Sequence, residues 1–241
     1  MSKALSKKMG LDLTPEQMCP SSWALAQYVK KHLPRVRKAY VIGGQGIIDE
    51  LKLVGVEAIG GPSPTEKTSF TEKDITNWVA EPSVDAVIMG MATDFSYKKL
   101  CEATMYLQNP KCEFISTNND AFDILGADLR RQPANGPLVS AVEHSSGRKA
   151  TCVGKPSVYL FEAVVEEHSI KPSRTVMVGD RMDTDIRFGH DHGMNTVLVL
   201  SGCTTGEKFA AHIQTVEEPL PSVVVPHIGL FLGEETIVSK M

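Results

Sequence analysis

The sequence predicts an α/β fold: a doubly wound, parallel, Rossmann-like core sheet with an inserted α/β domain. Two observations predict it. Short apolar, β-branched runs alternate with helix-periodic segments along most of the chain, the order that builds parallel sheets. One run, Thr175-Val176-Met177-Val178-Gly179-Asp180, ends in Gly-Asp and leads into Arg181-Met182-Asp183-Thr184-Asp185, so three carboxylates fall within six residues. Ligands of open α/β sheets bind just beyond the carboxyl ends of strands, and clustered carboxylates there suit Mg²⁺. An Asp capping a helix from Asp185 to His190 explains the same residues. Spacing alone leaves both readings open.

The elements follow in order. A first helix runs to Met9, with Gly10 as its stop. Thr14-Pro15-Glu16-Gln17 has the Thr cap and first-position Pro of a second short helix. Ser21-Ser22 can cap a third, Trp23 to His32. Lys38 to Gly44 is a strand, Gln45 to Val54 a helix with Ile47, Ile48, Leu51 and Val54 on one face, and Val56 to Ile59 a strand: a compact βαβ unit. Gly43-Gly44-Gln45-Gly46 lacks the spacing and the lysine of a phosphate loop and reads as a turn. Pro62 to Asn77 reads as polar loop. Val84 to Gly90 is a strand, and Tyr97 to Leu107 a helix with Leu100, Ala103, Thr104 and Leu107 inward. Residues 35–109 therefore read as a small α/β domain, preceded by helices over 1–34.

A second α/β run covers 110–241. Its strands are Cys112 to Asn118, Ala150 to Pro156, Thr175 to Asp180, Thr196 to Leu200 and Ser222 to Val225. Its helices are Leu138 to Glu143, Val158 to His168 and a segment ending near His192.

Composition narrows the function. The chain has 241 residues and a net charge of -4, with no basic block, so nucleic acid is not an expected partner. No apolar run approaches membrane-spanning length. The N-terminus lacks the apolar core of a signal peptide. The five cysteines include no C-x-x-C pair and read as reduced thiols of a cytoplasmic protein, with no zinc site. His190 and His192 flank a helix end, where a favourable dipole interaction is expected.

Three strand ends carry the chemistry: Thr117-Asn118, Lys155, and Asp180 with Asp183 and Asp185. Carboxylates can hold Mg²⁺, a lysine can neutralise phosphate oxygens, and hydroxyl and amide groups can hydrogen-bond a substrate. That set suits phosphoryl transfer, whose catalysis is mostly positioning and charge stabilisation.

At these residues the chain resembles a known family. Gly154-Lys155-Pro156-Ser157, Thr175 to Ile186 and Gly193-Met194-x-Thr196-Val197-Leu198 look like motifs III and IV of the haloacid dehalogenase superfamily. The branch is the one with a large α/β (C2-type) cap, which includes 4-nitrophenyl, phosphoglycolate and pyridoxal phosphate phosphatases. Tyr40 to Gly46 and Phe95-Ser96-Tyr97-x-x-Leu100 resemble the cap, and Phe114-Ile115-x-Thr117-Asn118-x-Asp120 the return to the core. The resemblance implies a Mg²⁺-dependent phosphatase of small phosphorylated metabolites, with a homodimer through the cap. It implies Asp180 as a Mg²⁺ ligand and Asp185 as the supporting second acid. Lys155 would be the motif III lysine, and Thr117 and Asn118 would lie near the substrate. Relatives often carry His where this chain has Asp94, and an acid there would repel an anionic substrate unless paired.

One motif is expected and missing. The family's nucleophile and general acid lie in an Asp-x-Asp-Gly strand end that precedes motif II, and this chain reads as starting after both. Its one Asp-x-Asp, Asp183-Thr184-Asp185, belongs to motif IV. The expectation is a chain with no phosphatase activity, a weakened Mg²⁺ site and apolar surface left exposed on the core sheet. A non-catalytic protein acting through cap-mediated dimerisation or regulation is the alternative.

Overall fold

The computed structural model describes residues 6–7, 10, 12–63, 69–125, 130–215 and 219–232. In chain order the strands are β1 Lys38–Ile42, β2 Glu57–Gly60, β3 Ala86–Met89, β4 Glu113–Ser116, β5 Phe122–Leu125, β6 Arg130–Pro133, β7 Thr151–Cys152, β8 Val176–Gly179, β9 Asn195–Val199 and β10 Val223–Val225. The helices are α1 Ser21–His32, α2 Gln45–Leu53, α3 Glu72–Asn77, α4 Tyr97–Tyr106, α5 Asn135–Ser146, α6 Val158–His168, α7 Arg187–Asp191 and α8 Gly206–Thr215.

Two parallel sheets organise the chain. The larger has the order β2-β1-β3-β4-β7 and the smaller β10-β9-β8, while β5 and β6 form an antiparallel hairpin between β4 and α5. The central strands of the larger sheet are buried on both faces, which is why they read as continuous apolar runs. Tyr40, Ile42, Val87, Met89 and Phe114 point to one face, where residues of α4 and α5 cover them. Ala39, Val41, Ala86, Ile88 and Ile115 point to the other, against Leu25 and Val29 of α1 and Leu51 of α2. This alternation is the period of two that a strand imposes. Ala24, on the same helix α1, packs with Leu160, Phe188 and Met194, so α1 and α6 tie the two sheets together.

The α/β class and the parallel strands stand as expected, but the division of the chain does not. The boundary expected after residue 109 falls inside the larger sheet: β4 pairs with β3 and β7 with β4. Thr117-Asn118 and Lys155 therefore leave one sheet and Asp180 another, and their strands are not neighbours in a single doubly wound sheet. Hydrophobic periodicity locates a strand without naming its partner, and Phe114 and Ile115 satisfy either sheet equally well.

Smaller corrections follow the same logic. The segment read as loop before Asn77 contains α3, closed by a reciprocal Thr71–Asp74 capping box. The hairpin β5–β6 and the helix α8 were not foreseen. The N-cap of α1 is Pro20, with Ser21 already helical. Gly43–Gly46 is the turn expected, opening α2. The first helix lies mostly outside the described residues. No helix among the described residues is long and apolar enough to cross a membrane.

In the smaller sheet β8 is an edge strand. Val176 is 51% exposed and Val178 37%, and both lie on one face.

Candidate active site

β8 ends at Gly179, and the chain turns at once through a π-helical turn, Met182–Ile186. Such turns are rare and recur at functional sites. Met182 and Ile186 anchor this one by packing on Leu198. The turn brings Asp185 back beneath the strand end, where it is 4% exposed. Its Oδ2 accepts the backbone amides of Asp180 and Arg181, both at 3.1 Å, and its Oδ1 accepts Lys155 Nζ at 2.6 Å. A buried carboxylate needs such partners, and the ion pair is charge-assisted. A Cβ at position 179 would collide with the Asp185 carboxylate, so the close approach requires Gly.

Asp180 is fixed from the other side. Its Oδ2 accepts Cys203 N at 2.6 Å and its carbonyl accepts Thr204 N at 3.0 Å, which pins the loop after β9. Gly202 leaves room for that carboxylate.

From the larger sheet come Lys155, after β7, and Asn118, after β4. Asn118 Nδ2 donates to Asp120 at 2.6 Å, and buried Asn135 donates to the Asn118 carbonyl at 2.7 Å. These residues line a cleft of about 370 Å³ where the two sheets' strand ends face each other, with Asn118, Asp120, Lys155, Asp180, Arg181 and Asp185 on its walls. A second groove, of about 340 Å³ between α1 and α6, is lined by Tyr28, His32 and Tyr159 and crossed by the Lys31–Glu166 pair. It gathers no set of groups for chemistry.

Of the residues predicted from sequence, Lys155, Asp180, Asp185 and Asn118 come together. Thr117 does not line the cleft; it is 3% exposed, and its hydroxyl donates to Asn118 Oδ1 at 2.9 Å. Asp94 lies elsewhere, held by Lys99 Nζ at 2.7 Å and Ser63 N at 2.7 Å, so its charge is paired. Asp183 turns away from Asp185 toward Arg181, 3.5 Å from its Nε. His192 bonds the Phe188 carbonyl at 2.8 Å and stacks on Phe161, a packing role.

Arg181 was missed. Its Nη1 donates to the Phe122 carbonyl at 2.8 Å, and its Nε lies 3.7 Å from Asp120. Burial opposes its charge, but Asp183 and Asp120 outweigh that and hold its pKa above the ordinary value. Its place directly after Gly-Asp was the available signal.

Among the described residues no three His, Cys, Asp or Glu side chains converge as a ready metal cage. Mg²⁺ needs less, since one or two carboxylates with water and substrate phosphate complete its octahedron. Asp180 fits that role: its Oδ1 has no hydrogen-bond partner among the described residues. Both oxygens of Asp185 are engaged, which suits it to support rather than to direct coordination.

A parallel α/β chain with a lysine and carboxylates converging at opposed strand ends has the make-up of a phosphate-handling hydrolase. Residues 1–57 match the haloacid dehalogenase-like hydrolase family and residues 152–229 a related hydrolase-like family. The chain is 39% identical to human (Homo sapiens) chronophin over 219 residues, covering 89% of this chain and 68% of chronophin. It is 39% identical to glycerol-3-phosphate phosphatase of Gallus gallus over 214 residues, 88% of this chain and 67% of that one. Phosphoglycolate phosphatase 2 of Arabidopsis thaliana is 38% identical over 195 residues, 80% of this chain and 64% of that one. A thermostable NPPase from Geobacillus stearothermophilus superposes with a TM-score of 0.71 at 30% identity, covering 92% of this chain and 76% of that one. NagD from E. coli superposes with a TM-score of 0.70 at 27% identity, covering 94% and 78%. The chain belongs to the haloacid dehalogenase-like hydrolase family, among its phosphatases.

Proposed function

We propose that this chain binds the phosphoryl group of a small phosphorylated metabolite in the cleft among Asn118, Lys155, Asp180 and Asp185, and that it does not turn that substrate over by itself. The observation that carries the binding is the Lys155–Asp185 pair. Asp185 is fixed by two backbone amides, so it holds the Lys155 ammonium in place and spends only one of its three donors. The other two are left for phosphate oxygens. Mg²⁺, held by Asp180, would supply further neutralisation of phosphate charge. The relatives' names point to small phosphate esters as the substrate class.

Turnover through an aspartyl-phosphate needs a carboxylate in line with phosphorus. The one Asp-x-Asp of these 241 residues is Asp183-Thr184-Asp185. Asp183 is turned to Arg181 and Asp185 is bonded through both oxygens, so neither is placed to attack. Binding and electrostatics alone leave only weak residual catalysis.

The test is an assay of the purified chain with 4-nitrophenyl phosphate and Mg²⁺, paired with calorimetric titration of inorganic phosphate. We expect no turnover above background, and phosphate binding that weakens at least tenfold in Lys155→Ala. Hydrolysis that disappears in Asp180→Ala would overturn the inactive reading. Phosphate affinity indifferent to Lys155→Ala would overturn the binding site.

A further inference from the structure

Two basic side chains line the phosphate cleft, Lys155 and Arg181. Lys155 is held by Asp185, on the turn after β8, whereas Arg181 reaches across the cleft. Arg181 leaves the strand end of the smaller sheet, and its Nη1 donates at 2.8 Å to the carbonyl of Phe122, in the segment that follows β4 of the larger one. Its buried Nε has no hydrogen-bond partner among the described residues. It lies 3.5 Å from an Asp183 oxygen and 3.7 Å from an Asp120 oxygen, and so acts on both as a charge. The two acids differ in their need for that charge. Asp183 is 59% exposed and lies off the phosphate cleft, so water already screens it. Asp120 is 25% exposed and stands on the cleft wall, where a carboxylate without a counter-charge would repel phosphate.

Asp120 in turn orients Asn118. Its Oδ2 accepts one Nδ2 proton of Asn118 at 2.6 Å, and Asn118 Oδ1 accepts the Thr117 hydroxyl at 2.9 Å. With a carboxylate at one end and a hydroxyl donor at the other, the amide has one orientation. Its second Nδ2 proton is left for a ligand in the cleft. A relay therefore runs from the smaller sheet to the larger: Arg181, Asp120, Asn118, Thr117. We propose that Arg181 is a positioning residue of the phosphate cleft: it neutralises Asp120 and so keeps Asp120 on the Asn118 amide, which presents an N–H to the phosphoryl group. Without the guanidinium, Asp120 turns to water and leaves Asn118 free to rotate. The proposal rests on the reading of the cleft as a phosphoryl site, and adds to it an acid that the site holds only in neutralised form.

The experiment is a double-mutant cycle on the purified chain, read by calorimetric titration of inorganic phosphate. Arg181→Gln should weaken binding at least tenfold in the wild-type chain but no more than threefold in an Asp120→Asn background. There an amide at position 120 still accepts the Asn118 proton and carries no charge to turn it outward. Equal costs in the two backgrounds would overturn the proposal, since a direct contact with phosphate, or a scaffold role through the Phe122 carbonyl, predicts them. If Arg181→Gln alone does not fold, the comparison of Asp120→Asn with the double variant decides, and a loss above threefold overturns the proposal. NMR of the Asn118 side-chain amide gives a second readout without phosphate. Its proton on Asp120 should be deshielded and slow to exchange in the wild-type chain, should lose both properties in Arg181→Gln, and should regain them in the double variant. A signature unmoved by Arg181→Gln, or still missing in the double variant, also overturns it. Phosphate affinity that falls in Lys155→Ala, with equal Arg181→Gln costs in both backgrounds, sinks the relay alone. A wild-type chain that binds no phosphate, with the amide signature following Arg181 and Asp120 as stated, sinks the phosphoryl cleft and keeps the relay.

Discussion

Asp94 stands between β3 and α4, where its carboxylate serves structure. Lys99, its partner, is 3% exposed and also donates to the Gly61 carbonyl at 2.9 Å. The pair therefore clamps the Gly60–Ser63 turn onto the start of α4. Asp94→Ala would strand a buried ammonium, a loss on the order of 3 kcal/mol, and Asp94→Asn, which keeps the bond to Ser63, should cost less. Burial pushes the Asp94 carboxyl upward, but Lys99 and the Ser63 amide prevail and hold it below its ordinary value of 3.8. A carboxyl depressed on folding stabilises above its unfolded pKa and loses that contribution as pH falls through the folded one. Urea melts from pH 7 down to pH 3 should show wild type losing stability below about pH 4, with Asp94→Ala lacking that part of the decline. Parallel curves for the two proteins would exclude the pair as the cause. The sequence showed the acid and warned that it needed a partner. It could not show the partner, because Lys99 reads as a surface position on an amphipathic helix.

At the scale of elements, legibility followed hydrophobic contrast. β1, β3 and β4 are apolar runs between turn residues and were plain in the sequence. The hairpin was not: Arg130-Arg131-Gln132-Pro133 has no apolar alternation, and it is held by pairing with β5. α3 buries no residue and leaves only its capping box as a trace. The π-helical turn has no sequence signature, although it decides where Asp185 points. Gly-Asp followed by further acids suggested three ligands converging, whereas the turn sends Asp185 inward and Asp183 outward. Gly179 makes that turn's importance measurable. In Gly179→Ala the added methyl must displace the Asp185 carboxylate, which releases Lys155 and two backbone amides. Phosphate affinity should fall by at least tenfold. The loss of stability should be on the order of 2 kcal/mol, as expected when a hydrogen-bonded charged group is displaced and its partners are left unsatisfied. Phosphate binding retained in a folded Gly179→Ala chain would show that the Asp185–Lys155 geometry is not needed.

For the molecule as a whole, the missing information was which strands are neighbours. Motifs ordered along the chain suggested one sheet after residue 109, whereas β4 and β7 complete the sheet begun by β1, and the phosphate cleft forms where two sheets oppose their strand ends. Among the described residues the smaller sheet then stands with β8 at its edge, and a strand edge without a partner there, carrying exposed valines, is a template for association. Val176 and Val178 together expose somewhat less than one full valine surface. Covering it, with the backbone edge, is worth roughly 1.5–2 kcal/mol, or more than tenfold in a dimer dissociation constant. Val176→Lys/Val178→Lys places two charges on that edge without touching the buried face, so it should leave the thermal transition unchanged. Sedimentation velocity over a range of concentrations should show the wild-type chain self-associating and the double variant at least tenfold weaker. Self-association unchanged by the two lysines would move the interface off β8, and the cap-mediated dimer implied by the family resemblance would then be the surface to mutate.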